Sequence, residues 1–288
     1  MPTGVFVGLI TLDCIYQTQT PLAPNEKQVA EEVLLAAGGP ATNAAIAFRA
    51  LGGQSILVGA LGQHPLSSVV RDDLTHHGVE LVDLTPETTV PPPFSAIVVN
   101  VATGDRAVIS RNASDRPRPT APPPPDVLPG AACLLLDGHQ IPVGCHLAAQ
   151  ARARSIPVII DAGSWKPDFD TLLARADAVI ASANFAPPDG VPGAGAIAYL
   201  RTLGVPHIAV TQGGDPILYH TATAAGALPV PPLQPMDTLG AGDIFHGAFC
   251  YHYAHTGDFL TALTAAIPVA ALACQSFGTR QWIKEFSP

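Results

Sequence analysis

Asp237-Thr238-Leu239-Gly240-Ala241-Gly242-Asp243, running directly into Ile244-Phe245-His246-Gly247-Ala248-Phe249, is a tight glycine loop that feeds an apolar helix. The first amides of such a helix have no partners inside it, and the helix dipole adds partial positive charge at that end. Such an end attracts anions, and Gly240 and Gly242 let the backbone close on a phosphate without a Cβ in the way. Asp243 stands at the loop's edge. A carboxylate there can take the proton from a hydroxyl while the loop holds the phosphoryl group that the hydroxyl attacks. The plainer alternative is an acidic helix cap, which stabilises a helix start by roughly 0.5–2 kcal/mol. The only lysines are Lys27, Lys166 and Lys284 and no G-x-x-x-x-G-K-[ST] occurs, so a Walker-type loop is excluded.

A second glycine loop lies far upstream. Gly38-Gly39-Pro40-Ala41-Thr42-Asn43 opens an Ala-rich helix that Gly52-Gly53 closes. Asn43 falls in its first turn, with an amide that both donates and accepts, the dual capacity that sugar hydroxyls need. Ahead of it, 5–10 is a continuous apolar run of the kind expected for a strand covered on both faces. Asp13 follows at its carboxyl end, where ligands gather in open α/β sheets; it reads as a binder of hydroxyls or as a solvated turn residue.

Between and beyond these loops the chain alternates. Strands are expected at 55–61, 133–137, 158–161, 178–182 and 207–211, and helices at 67–77, 144–155, 169–175 and 193–203, the βαβ rhythm of a parallel sheet. Segment 79–84 alternates apolar with polar, 217–220 and 226–230 read as edge strands, and helices at 241–255 and 259–277 complete the fold. Two early segments break the rhythm. Residues 17–35 are polar and irregular, and 95–101 with 106–111 form a hairpin around Ala102-Thr103-Gly104-Asp105. Together they predict a small β lid inserted at about 14–37 and 92–115, on a single domain spanning 1–288. The proline-rich stretch 116–129 reads as an extended connection.

Composition bounds the partners. With 288 residues, 48% of them hydrophobic, the chain can bury a large core, and a net charge of −9 argues against nucleic acid. Five scattered cysteines without a C-x-x-C pair suit a reducing, cytoplasmic setting. The apolar N-terminus lacks a basic leader, and the apolar run 262–273 is shorter than a membrane span and contains Pro268. His246, His252 and His255 lack i, i+4 spacing for a metal site.

The two glycine motifs, in this order and at this separation, resemble the paired signatures of the PfkB (ribokinase-like) carbohydrate kinases, and residues 237–243 look most like the ketohexokinase branch. That resemblance implies a three-layer α/β/α core with a mainly parallel sheet and a β lid. It implies Asp243 as catalytic base, Gly240, Ala241 and Gly242 as anion hole, and Asp13, Gly39 and Asn43 on the sugar. Thr211 and Gly213 would meet ATP, with Cys274 and Gly278 flanking its adenine or ribose. Asp237 and Thr238 lie where some members bind a monovalent cation such as K⁺. Two departures stand out. The family's N-x-x-E, whose glutamate organises Mg²⁺, is here Asn184-Phe185-Ala186-Pro187, leaving Asn184 on the nucleotide side and Mg²⁺ carried by ATP. Pro40 replaces an amide side chain of ketohexokinase-like proteins, which weakens a fructose assignment. Arg111, ending a lid strand, could stabilise charge on the transferring group. A nucleoside kinase or a non-catalytic sugar- or nucleotide-binding protein would share the fold, and two lids pairing by their edges would give a homodimer.

Overall fold

The computed structural model describes residues 1–111, 126–188, 190 and 192–286. In chain order its strands are β1 (Thr3–Gly8), β2 (Thr11–Thr18), β3 (Glu32–Gly38), β4 (Gln54–Gly59), β5 (Val79–Asp83), β6 (Phe94–Asn100), β7 (Asp105–Arg111), β8 (Ala131–Leu136), β9 (Val158–Ala162), β10 (Ala178–Ser182), β11 (His207–Gln212), β12 (Asp215–His220) and β13 (Ala225–Leu228). The helices are α1 (Pro40–Ala50), α2 (Pro65–His76), α3 (Ile141–Ala153), α4 (Phe169–Leu173), α5 (Ala194–Thr202), α6 (Ala241–Thr256), α7 (Phe259–Ala273) and α8 (Trp282–Glu285).

The apolar runs build one sheet in the order β13-β12-β11-β10-β9-β8-β1-β4-β5, parallel from β5 to β11 and antiparallel at β12 and β13. Strands β1, β8, β9 and β10 have no polar face because helices cover both sides. One apolar core holds Phe6, Phe48, Leu57 and Phe249 under α1, α6 and α7, and the other holds Val5, Leu134, Ile160 and Phe169 under α3, α4 and α5. Each such fully buried side chain contributes roughly 1.5–3 kcal/mol relative to exposure.

The second sheet, β3-β2-β6-β7, is the lid. It differs from the expectation in its first half. The opening strand ends at Gly8 rather than Ile10, and a lid strand begins at Thr11, so Asp13 sits on the lid and not at the carboxyl end of a core strand. The misreading has a simple cause: the buried run continues unbroken through Gly8 into Ile10 and Leu12, and hydropathy alone does not show where a chain leaves one sheet for another. Within 17–35, read as irregular, β3 supplies an edge strand whose Val33 and Leu35 are exposed. Helix α3 starts at Ile141, earlier than the expected 144, and α7 ends at Ala273. Lid residues 112–115 and most of the proline-rich stretch fall outside the described residues.

The lid is seated by a small apolar cluster in which Ile15, Ile97 and Val99 meet Phe277, with Leu34 and Leu239 packed against it. Leu239 immediately precedes the glycine loop, so lid and loop share a core.

Candidate active site

The upstream loop is held by a buried carboxylate. Asp137, just past β8, accepts from Leu9 N at 2.8 Å, Ala41 N at 3.3 Å and His139 N at 2.9 Å. Gly39 takes φ 104, and a Cβ there would lie 2.2 Å from the Leu9 carbonyl oxygen, so only glycine fits. Pro40 then occupies the first helical position, where a missing N–H costs nothing. This fixes Asn43, 5% exposed, in the first turn of α1. Its Nδ2 donates to Asp243 Oδ2 at 2.8 Å, bringing the two glycine motifs into contact across 200 residues.

Gly240 opens α6 in the left-handed region at φ 69, and no side chain caps the helix among the described residues. A Cβ on Gly242 would meet nothing within 4 Å, so the loop is open beside that residue, and uncapped first-turn amides attract anions. Asp243 is half-buried beside them. Burial and the nearby charge of Asp161 push its carboxyl up to about 7; the Asn43 hydrogen bond and His246 oppose the rise, and Asp13 adds to it. Asp13, 8% exposed on β2, accepts from Thr11 Oγ1 at 2.7 Å. Burial raises its pKa against hydrogen bonds from Thr11 and Ser95 and the charge of Arg280. Asp13, Gly39, Asn43 and Asp243 thus converge between the lid and the carboxyl edge of the sheet.

The residues expected on the nucleotide side are spread over neighbouring elements. Thr211 is the penultimate residue of β11, its hydroxyl donating to Ala181 O at 3.3 Å, and Gly213 lies just past the strand at φ 64 with open space beside its Cα. Asn184 is exposed past β10, its backbone N–H donating to Ser182 Oγ at 3.2 Å. Cys274 accepts at its carbonyl from Met236 N at 2.8 Å, and Gly278 N donates to Asp237 Oδ2 at 2.8 Å. These two buttress the downstream loop from behind.

The pfkB family carbohydrate kinase model matches residues 1–285. The chain belongs to the pfkB family of carbohydrate kinases. As a member it carries out ATP-dependent phosphorylation of a sugar or nucleoside. A ribokinase of Bacillus subtilis (strain 168) is 23% identical over 290 residues, covering 95% of this chain and 93% of its own. Among solved structures, a microbiome-derived acarbose kinase superposes with a TM-score of 0.81 at 19% identity, covering 97% of this chain and 94% of that one. Arabidopsis thaliana ribokinase, complexed with ribose and ATP, superposes with a TM-score of 0.74 at 20% identity over 99% of both chains. None of these three is a ketohexokinase.

The pfkB site also contains residues that sequence reading missed. Arg280 donates through Nη1 to Asn43 Oδ1 at 2.9 Å and through Nη2 to Ala37 O and to Asp73 Oδ2 at 3.2 Å. It thereby fixes which end of the Asn43 amide faces Asp243. Asp73, on α2, completes the bracket by accepting Ala37 N at 2.9 Å. Burial raises its pKa, but His77, Arg280 and the Ala37 amide outweigh that and bring the carboxyl down to about 2. The signal was slight: Arg280 directly follows the Gly278-Thr279 stretch at the edge of the family likeness. Arg111, the lid arginine chosen from sequence, is exposed at the end of the edge strand β7, opposite Phe94. Arg106, on the same strand, is the one that reaches the downstream loop, with Nη1 donating to Thr238 Oγ1 at 2.5 Å. Asp237 already accepts Leu239 N at 2.8 Å and Gly278 N at 2.8 Å, one on each carboxylate oxygen. Asp237 and Thr238, where the resemblance implies K⁺, thus have backbone amides and a guanidinium among their partners.

Proposed function

We propose that this kinase transfers the ATP γ-phosphoryl group to a primary hydroxyl of a small sugar or sugar-like alcohol, with Asp243 as catalytic base. The observation that carries the reading is a carboxylate that accepts Asn43 Nδ2 at 2.8 Å, lies within electrostatic reach of Asp13 and adjoins an uncapped helix start, with burial and Asp161 pushing it up to about 7. A base near neutrality is charged enough to act and basic enough to accept a proton. The acceptor oxygen forms its bond to phosphorus as the proton passes to Asp243 and the β,γ-bridging P–O bond breaks toward ADP. The amides of residues 240–242 face the charge on the equatorial oxygens, and the lid excludes water that would otherwise be phosphorylated in the sugar's place.

Asp13, Gly39 and Asn43 are the residues we assign to the acceptor, and Thr211, Gly213, Asn184, Cys274 and Gly278 to the nucleotide side. Magnesium, when bound, neutralises phosphate charge. Among the described residues no three His, Cys, Asp or Glu side chains gather as a cage, so the ion would be held mainly by the nucleotide's own phosphates. At Asp237 and Thr238 we assign the positive charge to Arg106 rather than to K⁺. The exposed Tyr16, Val33, Leu35 and Ile109 share the outer face of the lid sheet, and pairing of two lids there is the homodimer that belongs to this reading. Arg111, cross-strand from Phe94 and in line with Leu12, lies on that outer face and not on the Asp13 face, so we assign it to the lid–lid contact rather than to the substrate.

An ATP-consumption screen across ketoses, aldopentoses and nucleosides tests the assignment. Turnover with a free sugar and none with nucleosides is the expected result; turnover with nucleosides alone would replace the sugar by a nucleoside, and ADP release with neither would sink it.

A further inference from the structure

One buried imidazole in this molecule faces two acceptors. His246, 4% exposed and one turn beyond Asp243 on α6, places Nδ1 2.7 Å from the Gly242 carbonyl oxygen and Nε2 3.2 Å from the Ile180 carbonyl oxygen. Carbonyl oxygens only accept. Both ring nitrogens must donate for both contacts to be hydrogen bonds, and that requires the imidazolium. The counter-ion is present: Asp161 Oδ2, on β9 and 5% exposed, lies 3.7 Å from Nδ1. His255 makes the same contact one turn back along the helix, Nδ1 to Tyr251 O at 2.8 Å, but it is exposed, and a single donor serves it.

Gly242 is the last residue of the anion hole, so whatever grips its carbonyl also aims its neighbours. We propose that His246 and Asp161 form a buried ion pair that positions the phosphoryl cradle and the base, locking the first turn of α6 to β9 and β10. Neither side chain touches substrate; both are positioning residues. The inference rests on Asp243 being the base.

The pair also works on that base electrostatically, in opposite senses. Asp161 makes Asp243 harder to ionise, and His246 makes it easier. The other charged groups bearing on Asp243 are Asp13 from the lid and Arg280 from the C-terminal segment, while Asp161 also faces the buried thiol of Cys250. Deleting one member of the pair at a time therefore separates a charge role from a packing role. Loss of packing would slow both variants alike. Loss of charge moves the acid limb of the rate profile in opposite directions.

The test combines two readouts on the full chain. Side-chain ¹⁵N NMR of the histidine-labelled protein at pH 7.5 should show His246 with both nitrogens protonated. In the pH dependence of kcat, Asp161→Asn should move the acid limb to lower pH and His246→Asn to higher pH, each by about one pH unit. His246→Asn should also lower kcat at least several-fold with little change in the KM for ATP, and His255→Asn should change nothing. A neutral His246 at pH 7.5, or acid limbs that stay put in both variants, overturns the proposal. The NMR result needs no variant to fold and no activity. If Asp243→Asn retained full turnover while His246 proved doubly protonated, the base reading would fail and the ion pair would stand.

Discussion

Asp137 and Asp243 are the same residue type, each beside the start of a glycine-led helix, and their carboxyls are driven in opposite directions. At Asp137, 1% exposed, burial works to raise the pKa, but His139, Lys166 and the Leu9 amide outweigh it and hold the carboxyl at about 2. At Asp243 burial is joined by like charges, and the carboxyl rises to about 7. What separates them is the company: one is surrounded by amide donors and cations, the other by Asp161 and Asp13 with a single amide donor from Asn43. A carboxylate saturated with donors is a tie, and one left short of donors has the basicity that the role proposed for Asp243 requires. The second condition costs stability, which is why it occurs where chemistry needs it.

The sharpest way to break this contrast is at the base. Asp243→Asn should lower kcat by about three orders of magnitude or more, on the order of 4 kcal/mol in the barrier, while nucleotide binding measured by calorimetry stays nearly unchanged. Its folded-state pKa lies above its unfolded value, so this group weakens the fold progressively as pH rises from about 4 through about 7. The variant should therefore melt higher than the parent at pH 8 and no higher at pH 4; retained turnover would end the base assignment. Asp137→Asn should do the reverse. It turns an NH₂ group toward amide donors in a buried site, and a loss of about 2–3 kcal/mol in denaturant titrations at pH 7 is expected. Because this carboxyl's folded pKa is depressed, its contribution is present above about pH 4 and fades as pH falls toward 2. Parent and variant should converge in stability there.

Residues that act through backbone pattern were legible in the sequence. Gly39 and Gly240 announce their turns because a positive φ excludes most other residues, and Asn43 follows from its place one turn inside a helix. The parallel core was equally readable from unbroken apolar runs. What stayed hidden depends on contacts between distant segments. Asp161 ends an expected strand, His246 lies inside an expected helix and Arg280 belongs to no motif; each acquires its role only when β9, α6 and α1 are brought together. The lid was half legible for the same reason. Its hairpin is local, whereas β2 pairs with β6 some eighty positions on, and no periodicity marks where β1 ends and β2 begins.

Arg280 extends the contrast to a cation. Burial lowers its pKa against the pull of Asp73, Asp13 and Asp243, and its hydrogen bond to Asn43 Oδ1 is what aims Nδ2 at the base. Arg280→Met, which keeps much of the stem volume, frees the Asn43 amide to turn and should lower kcat by about 10–100-fold, roughly 1.4–2.7 kcal/mol. An effect on sugar KM alone would recast Arg280 as a substrate contact.

The smallest expected effect lies at the other end of the lid. Arg106 reaches Thr238 from β7, next to an Asp237 whose carboxyl is raised by burial against the Leu239 and Gly278 amides and Arg106 itself. In the assignment proposed above, the Arg106 guanidinium stands in the electrostatic place that a monovalent cation would otherwise take. Replacing potassium by tetramethylammonium at constant ionic strength should then leave both rate and melting temperature of the parent unchanged. In Arg106→Ala the carboxylate loses the cation that bears on it among the described residues, and potassium, but not tetramethylammonium, should partly restore rate and raise the melting temperature. A parent enzyme that stalls without potassium would show that Arg106 latches the lid to the loop without serving as its counter-charge.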